Sequence, residues 1–594
     1  MKKTIDQRVR LARDGFMMQA VDPVSTGIRP AFDCVLLPQP RIRHTQWDHG
    51  DTTSRALLAW LYVREITGDV SVGRELEEGL WQHLQSVIHP QTGLAFVPEH
   101  SDFSGGQYYY HLWDQGRVLT YLAARLRIEP EGERSHLFGL IRKLQSGLRR
   151  LATKLVLPDG GIALTWPSDA FWNESPTLPA DRDFGDQNWV GWCLVASQLI
   201  EPQTMLAEVT GDPLDLDLAM ETARGFLAGF EKRRQSTAPM FAPDGHFRGH
   251  FHGAVSGLLG LVKLSRWLWM RGDKSQAAEW IDLAVRAYGW IFDPHRNANP
   301  GCSCGYFPET AADTPHKCSE LCCVADMVEL AAELAQCAEL DPRWASLSDL
   351  WDDVERFTRN EIFKMQFTDM DRLLPYIADQ SAGIDTLRRL LGTWGSCRTF
   401  LPDAGLYPGS EATQLNMPQA AAPATDDLPM LTSGGCCAYS GVRALYAAWK
   451  LSAATIGSKT VVRIHGRHED GNVLIAPIES GGGIQFRSLR AGTLRIRIPA
   501  RVKFESVIVT GPNILEWSAD HRWLSLDLLG EEAGTIQWPV PEWSIREVAG
   551  PLNQMGLWPG TPRDERLACV LDYRGNELVR ITPSSLRLPY INGL

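Results

Sequence analysis

Three short stretches set far apart in the chain, "REITGDVSVG", "AEVTGDPLDL" and "LWMRGDKSQA", repeat one pattern. Each ends a helical run at a glycine (Gly68, Gly211, Gly272) and begins another at an aspartate (Asp69, Asp212, Asp273). Glycine accepts the left-handed backbone that closes a helix, and an aspartate side chain accepts hydrogen bonds from the free amides that open one. A chain punctuated in this way folds into helical hairpins in series. The intervening segments agree. In "SRALLAWLYVREI", "GLIRKLQSGLRRLATKL", "ETARGFLAGFEKR" and "VADMVELAAELAQCAEL" apolar residues recur at three- and four-residue steps, the period of an amphipathic helix. Loops also echo one another: "QWDHGD" with "LWDQGR", and "LAFVPE" (94–99) with "CGYFPE" (304–309). Between residues 50 and 453 there is room for about a dozen helices, which suits six hairpins closed into a ring.

The period changes after "ATIGSK" (454–459). In "TLRIRIPARV", "SVIVTG" and "RWLSLDL" apolar residues alternate, as on a strand with one buried face. The expected architecture is mainly α with a C-terminal β domain: an (α/α)6 toroid followed by a β-sandwich. The divisions are an N-terminal extended segment at 1–45, the toroid at 46–455 and the sandwich at 456–594. An open helical solenoid is the alternative, and it leaves a single appended β domain unexplained.

With 594 residues the chain is too long for one ordinary core, and 44% hydrophobic with 22% charged residues is usual for a soluble globular protein. A formal charge of -12 argues against nucleic acid or an anionic membrane as the main partner. The opening "MKKTIDQRVRLARDG" has no apolar stretch behind its lysines, and "GLLGLVKLSRWLWM" is broken by charge well short of a membrane span. A cytoplasmic protein is expected, with its 12 cysteines reduced. Reduced thiols in such a chain favour metal or catalytic roles over a disulfide framework.

Those thiols are unevenly placed. "CSELCC" (318–323) and "GGCCAYS" (434–440) each carry adjacent cysteines, which close a disulfide with each other only through a strained ring. Glu320 and Cys322 are two residues apart, too close to share a face of an established helix. They are expected in the loop entering "VADMVELAAELA", and Cys436 and Cys437 likewise at the entrance to "GVRALYAAWKL". A helix N-terminus favours negative charge and lowers a thiol's pKa. Two entrances converging at one end of a toroid would bring together Glu320, Cys322, Cys436 and Cys437, a tetrahedral shell for Zn2+. The spacing is not that of a common zinc finger, so buried free thiols packing as small hydrophobes remain the other reading.

A Glu-x-Cys element before one helix, a Cys-Cys pair before another, a helical toroid and a trailing sandwich together resemble glycoside hydrolase family 127, the β-L-arabinofuranosidase type. "SELCC" and "GGCC" carry the resemblance, with looser likeness in "GHFHGAVSGLLGL" and "LRIRIPARV". The resemblance implies zinc ligands Glu320, Cys322, Cys436 and Cys437, with Cys436 the nucleophile at the anomeric carbon. It implies no role for Cys323. In retaining glycosidases one carboxylate is ordinarily the nucleophile and a second is acid then base. Here a thiolate replaces the first, kept deprotonated by zinc. Where the family places its acid this sequence has Cys304, and the nearest candidate is Glu309 in "GYFPET". Against that stands the echo "FVPE" (96–99), the same loop without thiols.

His250 and His252 in "GHFHG", and Asp48 and His49 in "WDHG", are the candidate substrate contacts. The competing reading makes the histidines satisfied structural groups and Asp48 an N-cap. The 21 tryptophans fit sugar stacking as well as core filling. The irregular stretch between Pro402 and Gly435 reads as cavity wall or as a disordered insertion.

The expected function is a retaining exo-glycosidase acting on a small oligosaccharide, with no nucleic-acid or membrane partner; a homodimer is compatible with the sequence. Two other classes remain. One is a zinc-dependent thiol-activating enzyme of lanthipeptide-cyclase type, against which the β domain argues. The other is a non-catalytic carbohydrate-binding toroid with a structural zinc, favoured if Glu309 is remote from the metal.

Overall fold

The computed structural model describes residues 2–37, 39–173, 176–177, 192–231, 236–237, 239–308, 310–311, 320–374, 377, 379–395, 431–478, 481–511, 514–518, 522–549 and 567–582. The helical part comprises α1 (Lys2–Ala12), α2 (Gly50–Thr67), α3 (Arg74–Ser86), α4 (Leu112–Ile128), α5 (Glu131–Leu151), α6 (Trp192–Thr210) and α7 (Pro213–Ala228). It continues with α8 (Phe251–Arg271), α9 (Lys274–Ile291), α10 (Leu321–Cys337), α11 (Leu350–Phe357), the short α12 (Phe363–Met365), α13 (Gln380–Arg389) and α14 (Gly435–Leu451). Helices α2, α4, α6, α8, α10 and α14 each touch the next, and α14 returns to α2, so an inner ring of six is closed. Outside it, α3, α5, α7, α9 and α11 each pack on the inner helix that precedes them in this pairing, and α1 packs on α2 and α14. The toroid therefore takes its sixth outer helix from the first residues of the chain. The N-terminal segment, expected to be extended, begins as a helix because Ile5, Val9 and Ala12 recur at helical spacing and are fully buried.

The repeated glycines behave as read. Gly68, Gly211 and Gly272 all adopt positive φ. The aspartates differ among themselves. Asp212 caps α7 by accepting from the Leu214 amide at 2.9 Å. Asp273 stands at the start of α9 without a side-chain cap bond. Asp69 instead orders the turn to Val72, and α3 starts at Arg74, after Gly73.

Chain past Leu451 becomes strand at Ala453, slightly earlier than the expected boundary. Two five-stranded sheets follow, ordered 453–456, 459–462, 492–497, 523–528, 514–518 and 468–469, 473–477, 482–488, 533–538, 508–510. Val462, Leu494, Ile496 and Leu524 of the first meet Ile475, Ile484, Phe486 and Ile536 of the second in one core. That is the sandwich, with alternation such as buried Ile484, exposed Gln485, buried Phe486, exposed Arg487 producing it. Arg497, fully buried, donates to Asp352 of α11 at 2.5 Å, and the Ala500 amide donates to the same carboxylate at 2.8 Å, fastening sandwich to toroid.

A separate three-stranded sheet (542–549, 567–574, 577–582) lies outside the sandwich. Its Cys569, Leu571, Tyr573 and Leu578 cover Cys302, Cys304 and Tyr306. Beneath them Glu361 is buried, with the Cys304 thiol 3.6 Å from its carboxylate, and burial pushes its pKa up to about 8. The folded chain thus keeps a proton that the unfolded chain releases above about pH 4.3, so stability falls as pH rises from there towards 8. Glu361→Gln is expected to remove that decline, by on the order of a few kcal/mol at pH 8 and little at pH 4. Urea denaturation of both proteins at the two pH values checks it.

Candidate metal centre and active site

The inner helices present their N-termini at one end of the ring. Glu320 is the N-cap of α10, with extended backbone (φ -120, ψ 133), and Cys322 and Cys323 lie in the first helical turn rather than in the loop expected for Cys322. Standing outside the helix frees the Glu320 side chain from helical spacing. In α14, Gly434 is the N-cap and Cys436 and Cys437 are in the first turn. Strand 431–434 pairs with residues 33–37, Gly434 opposite Asp33, so the N-terminal segment sets the position from which α14 starts. Gly435 is required there: a Cβ would stand 2.7 Å from Thr52 Cγ2 of α2 and 2.9 Å from the Ala31 carbonyl oxygen.

These two entrances converge. The ligand atoms of Glu320, Cys322, Cys436 and Cys437 all lie within 4.8 Å of one another, and all four residues are buried. Cys437 Sγ is 3.9 Å from Cys322 Sγ and 3.8 Å from Cys436 Sγ, and Glu320 Oε1 is 3.8 Å from both Cys436 and Cys437. A tetrahedral zinc with Zn–S bonds of about 2.3 Å has S···S edges of about 3.8 Å. The four printed edges match that spacing, and the donor set of three sulfurs and one carboxylate suits zinc. Hydrogen bonding to Cys322 and Cys436, together with burial, pushes the Cys437 thiol well above its ordinary range, and a cation at the centre would reverse that tendency. Cys436 keeps the largest exposure of the four, 5% against 0% for Cys322 and Cys437 and 2% for Glu320.

Behind the sulfurs lies a cationic layer. Cys322 Sγ is 3.4 Å from Ser440 Oγ, which accepts from Arg55 Nη1 at 3.2 Å, and Arg55 Nε donates to Asp51 at 2.8 Å. Burial opposes the charge on Arg55, but Asp51, Cys322 and Cys436 outweigh it and hold the guanidinium firmly protonated. Arg55, Arg117, Ser440 and Arg443 line a cavity of about 20 Å3 below the cluster. Deeper still, His252 bonds Asp326 through Nδ1 and faces Arg117 at 3.1 Å through Nε2, while Arg443 and Ser256 also donate to Asp326.

The candidate substrate contacts separate accordingly. His250 is at the cluster, its Nε2 4.0 Å from Glu320 Oε2 and its ring 5.7 Å from that of Trp113. His252 belongs to the buried network. Asp48 is fully buried and accepts from the amides of Phe32 and Thr45 and from Arg29, with His44 also in contact. It is the third residue of a capping box whose N-cap is Thr45, rather than an N-cap itself. His49 is buried between His83 and Glu99, 2.8 Å from the latter, whose carboxyl burial would raise but His49 and Arg29 hold near 2. Glu309 lies outside the described residues; Thr310, which follows it, pairs with His250. Most of the stretch from Pro402 to Gly435 is likewise outside them. Asp51, Arg55, Arg117, Asp326, Ser440 and Arg443 escaped the reading of the sequence.

Fold and site define a toroid-and-sandwich protein with a cysteine–carboxylate cluster at the mouth of its inner ring. Solved structures share that architecture. A glycoside hydrolase family 127 β-L-arabinofuranosidase from Geobacillus stearothermophilus T6 superposes with a TM-score of 0.51 at 15% identity, over 89% of this chain and 77% of that one. A second β-arabinofuranosidase of family 127 gives 0.52 at 12% identity, over 97% and 79%. A third structure, described as a glycoside hydrolase, gives 0.50 at 12% identity, over 95% and 84%. No protein-family profile and no curated protein sequence matches the chain. The resemblance to family 127 is thus one of fold. Among the described residues no helix is long and apolar enough to cross a membrane.

Proposed function

We propose that this protein is a retaining exo-glycoside hydrolase that releases a terminal, β-L-arabinofuranoside-like sugar from a small oligosaccharide. The observation that carries the reading is the buried set of three sulfurs and one carboxylate, all within 4.8 Å of one another, with Cys436 at its most open corner. Glu320, Cys322, Cys436 and Cys437 would hold zinc. Bound there, zinc would keep the thiols ionised at neutral pH and temper their basicity.

The remaining steps belong to the chain. The N-termini of α10 and α14 favour negative charge on the sulfurs. Cys436 Sγ attacks the anomeric carbon, forming a C–S bond as the glycosidic C–O bond breaks. The departing oxygen takes a proton from the acid, which we assign to Glu309 because the adjoining Thr310 is paired with His250 beside the cluster. The resulting carboxylate then deprotonates water, which attacks the same carbon and expels the thiolate. Two displacements retain configuration. His250, with Trp113 5.7 Å from its ring, would meet the sugar.

The test is metal content, product configuration and leaving-group dependence together. Protein purified without added metal is expected to carry about one zinc per chain, since thiolate sites hold it tightly. NMR of fresh product should show retention. Glu309→Gln should slow glycosides with poor leaving groups far more than activated aryl glycosides, whose departure needs little protonation. Zinc-free active protein, or inverted product, contradicts the reading; equal losses on both substrate types move the acid elsewhere.

A further inference from the structure

The first turn of α10 contains one more thiol than the zinc site uses, and its contact divides the work of a ligand. Glu320 Oε1 faces Cys436 and Cys437 at 3.8 Å each. Its other oxygen, Oε2, is 3.8 Å from the buried Cys323 Sγ, with His250 Nε2 at 4.0 Å. Helix geometry explains this arrangement. Glu320 is the N-cap and Cys323 the third residue of the helix, the position from which a capping-box side chain reaches back to the N-cap. Cys322, one residue earlier, is rotated about 100° away on the helix and points instead to Cys437 and Ser440. Glu320 makes no side-chain cap bond to the helix amides. A carboxylate that swings about its last torsion can offer a metal both oxygens, and the contacts at Oε2 oppose that swing.

We propose that Cys323 is a positioning residue for the metal centre: its thiol donates to Glu320 Oε2 and restricts the carboxylate to binding through Oε1 alone. The inference rests on the zinc reading above. It assigns Cys323 a function without making it a ligand. Fixing Glu320 as a one-oxygen ligand keeps the site four-coordinate, with three sulfurs and one oxygen. Partners of this kind, one bond removed from a metal, typically change affinity about 10- to 100-fold when lost.

The experiment compares the parent with Cys323→Ala and Cys323→Ser by chelator competition for zinc and by the visible spectrum of the cobalt(II) forms, with thermal melting recorded for each. Loss of the thiol in Cys323→Ala should weaken zinc binding about 10-fold or more and reduce the cobalt d–d intensity as a second carboxylate oxygen enters. Cys323→Ser keeps a donor and should restore both. A packing role alone would lower melting in Cys323→Ala while leaving the cobalt spectrum of the folded protein unchanged, which overturns the proposal. It is equally overturned if Glu320→Gln retains the parent spectrum, since Cys323 would then be a ligand. A parent protein that binds neither metal refutes the zinc reading itself, and this inference with it.

Discussion

Cys436→Ser is expected to reduce turnover by at least about 10^3-fold, the scale on which removing a nucleophile acts. A serine hydroxyl is not ionised at neutral pH without a dedicated base, and its oxygen is a weaker nucleophile than a thiolate sulfur. Because Cys436 would also hold the zinc, metal content must be followed alongside activity. Cys322→Ser removes a sulfur that lies against Ser440 and is fully buried, so it should affect zinc retention without removing the attacking atom. A sugar bearing an electrophile at its anomeric carbon should label Cys436 and leave Cys322 and Cys437 unmodified, in keeping with their exposures. Peptide mass mapping reads the label. Label confined to Cys323 or Cys302, or a Cys436→Ser protein with parental turnover, removes Cys436 from the mechanism.

The cluster was legible because each pair of ligands is local. Cys436 and Cys437 are adjacent, Glu320 and Cys322 are two apart, and both pairs precede strongly apolar helices. Period alone placed them at helix starts, and a toroid brings the starts of its inner helices to one end. The one-residue error, a loop for Cys322, came from treating Glu320 as though it had to follow helical spacing; an N-cap with extended backbone does not. The sixth outer helix was missed for a different reason. Its partners, α2 and α14, bracket the helical domain, and no local signal says that the N-terminus closes the ring. Likewise the strands beyond residue 541 alternate as sandwich strands do, and only their docking on Cys302 and Tyr306 sets them apart.

The cationic layer left a signal that went unread. Asp51 and Arg55 are four apart at the start of α2, and Asp326 and Arg443 sit inside segments otherwise nearly wholly apolar, "CCVADMV" and "GVRALYAA". An ionisable group in an all-round apolar helix is expensive to bury unless paired, so such residues point to a ring whose axis is charged. Electrostatics give the layer a purpose. With a divalent cation bound, three thiolates and one carboxylate would leave a net charge of minus two, and Arg55, one serine removed from Cys322, lies where it would offset part of that charge.

The heaviest consequence for stability falls on Asp326. It is completely buried and accepts from Arg443, Ser256 and His252. Burial alone would raise its carboxyl, yet His252 and Arg443 outweigh burial and hold it well below the usual carboxylate range. Asp326→Asn keeps the shape but removes the charge that balances Arg443, so unfolding free energy at pH 7 should fall by about 3–5 kcal/mol, the scale for breaking a buried pair from one side. The pH dependence follows from the direction of the shift. A depressed folded pKa contributes stability that is present above the unfolded value of about 3.9 and is lost as pH falls towards the folded one. The gap between parent and variant should therefore be full at pH 7 and narrow below about pH 4. Zinc content should survive, because Asp326 holds none of the four ligands directly. Guanidinium denaturation across that range, with metal analysis of the folded variant, measures both. A loss under about 1 kcal/mol at pH 7 would show that Arg443 finds sufficient compensation in Glu329, 3.3 Å from its Nε, and that the axis of the ring tolerates the missing charge.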